Sequence, residues 1–127
     1  MCSNQKYVLS TLGHTWILDL DGTLVKHNGY LEDGKDTLLS GAKEFLNSIP
    51  KDDIIIIVTS RKSEYMELTK KFLHEEEIRY DSLIFNVPYG ERIVVNDKKN
   101  SGMLTAMAIN IERNNIEKLE IEFDSNI

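Results

Sequence analysis

The fold is decided by residues 15–23, TWILDLDGT, where an apolar run ends in two acidic residues and a glycine turn. Residues 15–20 predict a buried strand, because large apolar side chains dominate the run and turn residues close it. Residues 53–58, DIIIIV, predict a second strand that is followed by Thr59 and Ser60. A continuous β-branched run of this kind is typical of a central strand that is buried on both faces.

Helical patterns alternate with the strands along the chain. Residues 38–49 predict a helix that ends before Pro50, and residues 63–77 predict a second helix, since apolar positions recur at helical spacing in both. Further short strands are predicted at residues 83–85 and 92–95, and residues 103–111 predict a turn and a last strand. This alternation predicts an α/β fold with a central, mostly parallel sheet that is covered on both sides.

Composition limits the function classes. The chain has 127 residues, with 41% hydrophobic and 28% charged residues, which predicts a single globular domain, residues 1–127. Its net charge of −6 makes nucleic acid an unexpected partner. The apolar run at residues 54–58 is too short to span a membrane, and the polar N-terminus lacks a signal-peptide pattern. A single cysteine, Cys2, excludes an internal disulfide, so we expect a cytoplasmic protein.

Within the domain we expect three less regular parts. Residues 1–12 form an N-terminal extension, residues 24–36 form a flap, and residues 113–127 form a C-terminal tail or helix. The acidic runs at residues 75–77 and 112–124 are expected on solvated helix surface and tail.

Polar side chains follow three of the predicted strands. These are Asp19 with Asp21, Thr59 with Ser60, and Asn96 with Asp97. In a parallel sheet, ligands bind beyond the carboxyl ends of the strands. We therefore expect these side chains to converge on one site.

The chemistry of these groups favours phosphate and a divalent cation. Two neighbouring carboxylates repel each other, and a cation or a proton relieves the repulsion. Asp19 could then be both a Mg²⁺ ligand and a nucleophile, while Asp21 moves a proton. The hydroxyl of Thr59 suits a phosphate oxygen, and Asp97 suits the metal. Taken singly, each group is also explained by a turn or a helix cap.

Three segments in order carry a resemblance to a known family. Residues 19–24, DLDGTL, resemble the first motif of the haloacid dehalogenase superfamily, whose members are mostly phosphatases. Residues 55–59, IIIVT, resemble its second motif, and residues 94–97, VVND, resemble its fourth. The resemblance extends over residues 16–111 and implies a three-layer Rossmann-like fold.

The resemblance also implies roles for individual residues. Asp19 attacks phosphorus, and Asp21 protonates the leaving oxygen and then deprotonates the hydrolytic water. Mg²⁺ is held by the Asp19 carboxylate, the Asp21 carbonyl and Asp97, while Thr59 bonds the phosphoryl group. An acid at position 21 favours a phosphatase or phosphomutase over a dehalogenase.

The third motif of the family, a Lys or Arg beside the aspartyl-phosphate, has no unambiguous counterpart. Arg92 is our choice for this cation, and Arg61, Lys62 and Lys98 are its rivals.

The short segment after Gly22 resembles the capless type of the superfamily, in which a flap and often a neighbouring subunit cover the site. A homo-oligomer that completes the site is therefore expected. Residues 25–30 predict a hairpin flap with Asn28-Gly29 as its turn. The side chains expected to face the substrate are Lys26, His27, Tyr30, Ser60 and Arg61.

A narrower resemblance rests on residues 59–62 (TSRK), 90–92 (GER) and 96–102 (NDKKNSG). They are similar to small bacterial phosphatases that act in capsule or surface-polysaccharide assembly. That similarity implies a small sugar, polyol or amino-polyol phosphate as the substrate.

Other classes fit the residues less well. Receiver domains carry their paired acids on a different strand from the phosphorylated Asp. A phosphomutase usually needs an enclosing cap, and a catalytically silent phosphate-binding domain would not need the acids and Thr59 intact. A dinucleotide-binding domain is excluded because no Gly-x-Gly-x-x-Gly follows the first strand.

Overall fold

The computed structural model describes residues 4–127. Cys2 and the first three residues of the predicted N-terminal extension lie outside the described residues. Within residues 4–127 the chain is an α/β protein with parallel strands in two small sheets and three α-helices. The strands are β1 (Gln5–Leu9), β2 (Thr15–Asp19), β3 (Ile54–Val58), β4 (Ser82–Ile84) and β5 (Leu119–Phe123). The helices are α1 (Gly29–Glu32), α2 (Ala42–Ser48) and α3 (Met66–Glu75), with 3₁₀ turns at Ser63–Tyr65 and Ile116–Lys118.

The larger sheet contains the predicted core strands. Its order is β2-β3-β4, and both pairings are parallel. Asp19 is in register with Val58, so β2 and β3 end at the same level. The strands predicted at residues 15–20, 53–58 and 83–85 are confirmed, with each end shifted by at most one residue. The parallel pairing places their carboxyl ends along one edge of the sheet.

The core explains why these apolar runs become strands. Ile55 and Ile57 on β3 are fully buried and pack in one cluster with Leu18 of β2, Leu46 of α2 and Leu73 of α3. Burying one such side chain stabilises the fold by about 1.5–3 kcal/mol. The cluster therefore ties the central strand to the helices and fixes the strand ends that carry the polar residues.

The smaller sheet corrects the prediction for both ends of the chain. The predicted N-terminal extension contains β1, and the predicted C-terminal tail or helix contains β5, which pairs with β1 in parallel. In β5 the apolar Leu119 and Ile121 alternate with Glu120 and Glu122, which is the period-two pattern of a half-buried strand. Glu120 and Glu122 of the C-terminal acidic run thus lie on the exposed face of a strand.

The structure shortens both predicted helices. The helix predicted at residues 38–49 begins only at Ala42, because Gly41 before it has a left-handed φ of 85° and Leu38 forms a bridge with Val25. The helix predicted at residues 63–77 begins as a 3₁₀ turn and continues as α3. No side-chain hydrogen bond caps the start of the 3₁₀ turn or the start of α3.

The strands predicted at residues 92–95 and 103–111 are not formed. Both segments lack regular structure, and Ile93 and Val95 are 81% and 91% exposed. A β-branched run becomes a strand only when a neighbouring backbone completes its hydrogen bonds, and no such ladder is present for these residues.

The flap has a different form from the predicted hairpin. Asn28 adopts φ 57° ahead of the short helix α1, instead of forming a hairpin turn with Gly29. Val25 bridges to Asp21 on one side and to Leu38 on the other, which closes the base of this loop. Among residues 4–127, no helix has the length and apolar character needed to cross a membrane.

Candidate active site

The ends of β2 and β3 bring the first two predicted strand-end groups together. Thr59 follows β3 directly, is fully buried, and donates its hydroxyl to Asp21 Oδ2 at 3.1 Å. The same hydroxyl oxygen accepts the backbone N–H of Arg61 at 3.1 Å. The parallel register therefore places Thr59 against the acidic turn, as the alignment of strand ends requires.

The acidic turn is held by its own backbone and by the C-terminal part of the chain. The N–H of Gly22 donates to Val25 O at 2.7 Å, and Gly22 has a φ of 87°, which favours glycine. Asn114 donates its N–H to Gly22 O at 2.7 Å and accepts the N–H of His27 through Oδ1 at 2.9 Å. Asn114 therefore pins both ends of the turn, and no sequence pattern had singled it out.

Asp19 is oriented by two donors and remains accessible. Thr23 Oγ1 donates to Asp19 Oδ2 at 3.1 Å, and Arg92 Nη1 donates to Asp19 Oδ1 at 2.8 Å. The Asp19 and Arg92 side chains are 36% and 38% exposed, so the pair adds little to stability. Its consequence is local: a positive group lies beside an accessible carboxylate.

Asp21 is held by a buried guanidinium. Arg61 donates from Nη2 to Asp21 Oδ1 at 2.8 Å and from Nε to both Asp21 oxygens at 3.1 and 3.2 Å. Its other edge faces Asp36, with Nη2 at 2.6 Å from Oδ1 and Nη1 at 3.0 Å from Oδ2. Nη1 also donates to Thr69 Oγ1 at 2.8 Å. These contacts use all five N–H groups of the guanidinium.

The surroundings keep Arg61 charged. Its side chain is 1% exposed, and burial alone lowers the pKa of an arginine. The hydrogen bonds to Asp36 and Asp21 outweigh burial and raise the pKa of Arg61 above its ordinary value. The ring of Tyr30 lies 3.8 Å from the guanidinium carbon, and Tyr65 meets that ring edge-on at 4.9 Å. Burial, with the charge of Asp21, raises the pKa of Tyr30.

Arg61 and Tyr30 were predicted to face the substrate, and the structure shows what they contact instead. Arg61 has no N–H group left for a substrate, because protein oxygens accept all of them. Tyr30 covers the face of that guanidinium. Both residues therefore support Asp21: Arg61 contacts it directly, and Tyr30 packs on Arg61.

Asp36 and Thr69 were missed by sequence reasoning. Asp36 lies in the predicted flap, and Thr69 lies on a predicted helix, where its hydroxyl also donates to Tyr65 O at 2.8 Å. Neither stands next to a strand end, so no spacing in the sequence connects it to Arg61.

The third predicted strand end is not brought to Asp19 and Asp21. Asp97 is exposed, and its carbonyl accepts hydrogen bonds from Asn96 Nδ2 at 3.2 Å and from the hydroxyl of Thr105. Among residues 4–127, no three His, Cys, Asp or Glu side chains are gathered in a way that could hold a metal ion. The Mg²⁺ ligand set of the Asp19 carboxylate, the Asp21 carbonyl and Asp97 stays a prediction.

The remaining predicted site residues lie around the turn and flap. Ser60 Oγ lies 3.5 Å from Pro88 O, and Lys26 Nζ pairs with Asp33 Oδ2 at 2.8 Å on the surface. His27 Nδ1 is buried, with no hydrogen-bond partner among the described residues, and would lie 3.6 Å from a Cβ on Gly22.

No protein-family model, no curated protein and no solved structure matches this chain. Its chemistry therefore rests on the side chains just described. They provide one accessible carboxylate with a cation beside it, and a second carboxylate that is fixed by a buried guanidinium and a threonine hydroxyl.

Proposed function

We propose that this protein is a phosphomonoesterase of the haloacid dehalogenase type that uses Asp19 as its nucleophile. One observation carries the proposal. Asp19 and Asp21 leave β2 beside the end of β3, and each carboxylate has its own arginine, Arg92 at 2.8 Å and Arg61 at 2.8 Å. Such a set suits the transfer of an anionic phosphoryl group, which needs a nucleophile, a proton carrier and positive charge close together.

In the first step, an Asp19 carboxylate oxygen attacks phosphorus. The bond between phosphorus and the substrate oxygen breaks, and its electron pair goes to that oxygen, which takes the proton of the Asp21 carboxyl group. The products are an acyl phosphate on Asp19, a free alcohol and an ionised Asp21.

In the second step, water attacks the phosphorus of the acyl phosphate. The bond between phosphorus and the Asp19 oxygen breaks, and its electrons restore the Asp19 carboxylate. Asp21 takes a proton from the attacking water, and inorganic phosphate leaves. The protein thus returns to its starting state.

Arg92 and Thr59 have supporting roles in this scheme. Arg92 Nη1 offsets the negative charge that would otherwise repel an incoming phosphate from Asp19. The Thr59 hydroxyl donates to Asp21, so a bond to the phosphoryl group requires that hydroxyl to rotate.

Mg²⁺ is the cofactor that the sequence resemblance implies. The implied ligands are the Asp19 carboxylate, the Asp21 carbonyl and Asp97, and this set stays a prediction, since the described residues contain no group of three His, Cys, Asp or Glu side chains that could hold a metal ion. The two steps above therefore use the chain's own groups alone, and added Mg²⁺ is a variable of the assay.

The proposed substrate is a small sugar, polyol or amino-polyol phosphate in capsular or surface-polysaccharide precursor synthesis in the cytoplasm. Asp19 is accessible and the described flap contains a helix of four residues, so the site can admit a substrate of this kind. The proposal includes a single Rossmann-like domain without a cap, with a second subunit completing the site.

A second candidate is a phosphate-binding domain without turnover. It is favoured by the two oxygens of Asp21, which both accept hydrogen bonds from Arg61, so that this carboxylate is already engaged by the protein. The two candidates differ in whether phosphate is released.

The test is phosphate release from a panel of triose, hexose, heptose, polyol and nucleotide monophosphates, with Mg²⁺ and with EDTA. We expect release with Mg²⁺, loss of release in Asp19→Asn, and near loss in Asp21→Asn. Asp52→Asn is the matched control, because Asp52 is exposed and away from the turn. Wild-type turnover by Asp19→Asn would contradict the nucleophile, and phosphate binding without release would favour the second candidate.

A further inference from the structure

Asp36 is a buried carboxylate that takes no part in the proposed reaction. Its side chain is 1% exposed, and both of its oxygens accept hydrogen bonds from Arg61, at 2.6 and 3.0 Å. A buried ion pair is no general source of stability, because desolvation offsets much of the attraction. Geometry offers a more specific role for Asp36.

The guanidinium of Arg61 links Asp36 to Asp21. One edge, formed by Nη1 and Nη2, faces Asp36, and the adjacent edge, formed by Nε and Nη2, faces Asp21. Because a guanidinium is planar and rigid, fixing one edge fixes the direction of the other. Thr69 takes the remaining N–H, and the Tyr30 ring covers one face.

Asp21 has little else to set its orientation. Besides Arg61, its side chain accepts one hydrogen bond, from Thr59 at 3.1 Å. It lies at the start of the turn at Gly22, whose hydrogen bonds are made by the backbone, so the turn leaves its side-chain torsions free. The position of its two oxygens therefore depends on the guanidinium plane, and that plane depends on Asp36.

We propose that Asp36 is a positioning residue that holds Arg61 in the plane in which Asp21 meets the leaving oxygen at Asp19. The inference rests on the proposed function. Asp36 itself touches no reacting atom, and its effect reaches the reaction through Arg61.

The first experiment compares substrates that differ in their need for a proton. An alkyl phosphate expels a poor leaving group and needs the acid, whereas p-nitrophenyl phosphate needs it little. The ratio kcat/KM reports the steps up to the first irreversible one, which here is transfer to Asp19. General acid catalysis contributes about 10²–10⁴-fold, so a displaced acid should cost roughly 10-fold or more on the alkyl substrate.

We expect Asp36→Asn to lower kcat/KM for a hexose phosphate by roughly 10-fold or more. For p-nitrophenyl phosphate we expect a loss of less than about twofold. Thr69→Val is the control, because it removes a neutral partner of Arg61 and leaves both carboxylates in place. An equal loss on both substrates would mean a purely structural role, and no loss on either would remove the role altogether. Both results would overturn the proposal.

Two further measurements keep the test decisive. If Asp36→Asn fails to fold in circular dichroism, Arg61→Lys replaces it, since an ammonium keeps the charge but cannot orient two carboxylates with a planar fork. For Arg61→Lys we again expect a larger loss of kcat/KM on the hexose phosphate than on p-nitrophenyl phosphate. Equal losses on the two substrates would contradict the proposal.

If the wild type hydrolyses none of the substrates, the proposed function fails, and NMR of ¹⁵N-labelled protein tests Asp36 separately. Separate, exchange-protected Nη signals of Arg61 that merge in Asp36→Asn would support the hold on the guanidinium. Signals that do not change would refute it.

Discussion

Replacing Arg61 with methionine tests the buried charge cluster most severely. Methionine fills a similar length of side chain but cannot pair with Asp36 or Asp21. Those carboxylates are 1% and 17% exposed, so Asp36 in particular has no water to replace the guanidinium. Removing one partner of a buried pair costs about 3–5 kcal/mol, and the partial exposure of Asp21 keeps the expected loss within that range.

The assay is urea unfolding followed by the fluorescence of Trp16, the single tryptophan of the chain. At an m-value of about 2 kcal/mol/M, the loss lowers the urea midpoint by roughly 2 M. Thr69→Val, which removes the hydrogen bonds of Thr69 with Arg61 and with Tyr65, should cost only about 2 kcal/mol.

A double variant separates charge from packing. Arg61→Met with Asp36→Leu removes both members of the most buried pair, and such apolar replacements are often neutral or stabilising. We therefore expect it to recover most of the loss. A single Arg61→Met variant no less stable than Thr69→Val would refute the account of a buried, charge-paired cluster.

Two further predictions concern Gly41, which precedes α2, and Asp53, which precedes β3. Gly41→Ala should destabilise the protein by more than about 2 kcal/mol, because Gly41 has a φ of 85° and a Cβ there would lie 2.7 Å from Cβ of Glu117. Gly13→Ala, where a Cβ meets nothing within 4 Å, should leave the urea midpoint unchanged, and equal effects of the two variants would contradict this packing. Burial raises the pKa of Asp53, but hydrogen bonds from Trp16 and from the backbone and side chain of His14 outweigh it and bring that pKa below its ordinary value. The unfolded chain therefore binds the proton first as pH falls, so the stability due to Asp53 is complete above about pH 5 and disappears as pH falls through the folded pKa. Urea midpoints of wild type and Asp53→Asn should converge as pH is lowered, and a constant difference would contradict this linkage.

The sequence predicted the larger sheet because one face of its central strand is fully buried, through Ile55 and Ile57. Burial on both faces was wrong for this strand, since Ile54 is 49% exposed. An uninterrupted run such as residues 54–58 has few alternatives once it must leave water, and β2 and β4 pair with it in the expected parallel sense. The exposed β-branched run at residues 92–95 shows the limit of that signal, since residue type alone does not supply a neighbouring backbone. The sequence of β5 alternates with a period of two, which is the pattern of a strand. Its acidic residues led instead to the prediction of a tail.

For the site, too, the contacts that regular strands create could be predicted, whereas those that depend on irregular loops could not. Contacts at strand ends, such as Thr59 with Asp21, follow from register and could be anticipated. Arg92, selected from four candidate cations, does contact Asp19. Asp36 could not be found, because its pairing with Arg61 depends on the path of an irregular loop, and a single buried polar residue has no periodicity.

The central claim is that a phosphoryl group is transferred to Asp19. The direct measurement is acid quenching of protein mixed with a substrate from the panel, followed by peptide mass spectrometry. The account predicts a peptide containing Asp19 heavier by one phosphoryl group, converted to homoserine at that position by borohydride and missing in Asp19→Asn. Turnover with no phosphorylated peptide under any quench time, or with the group on another residue, would contradict it.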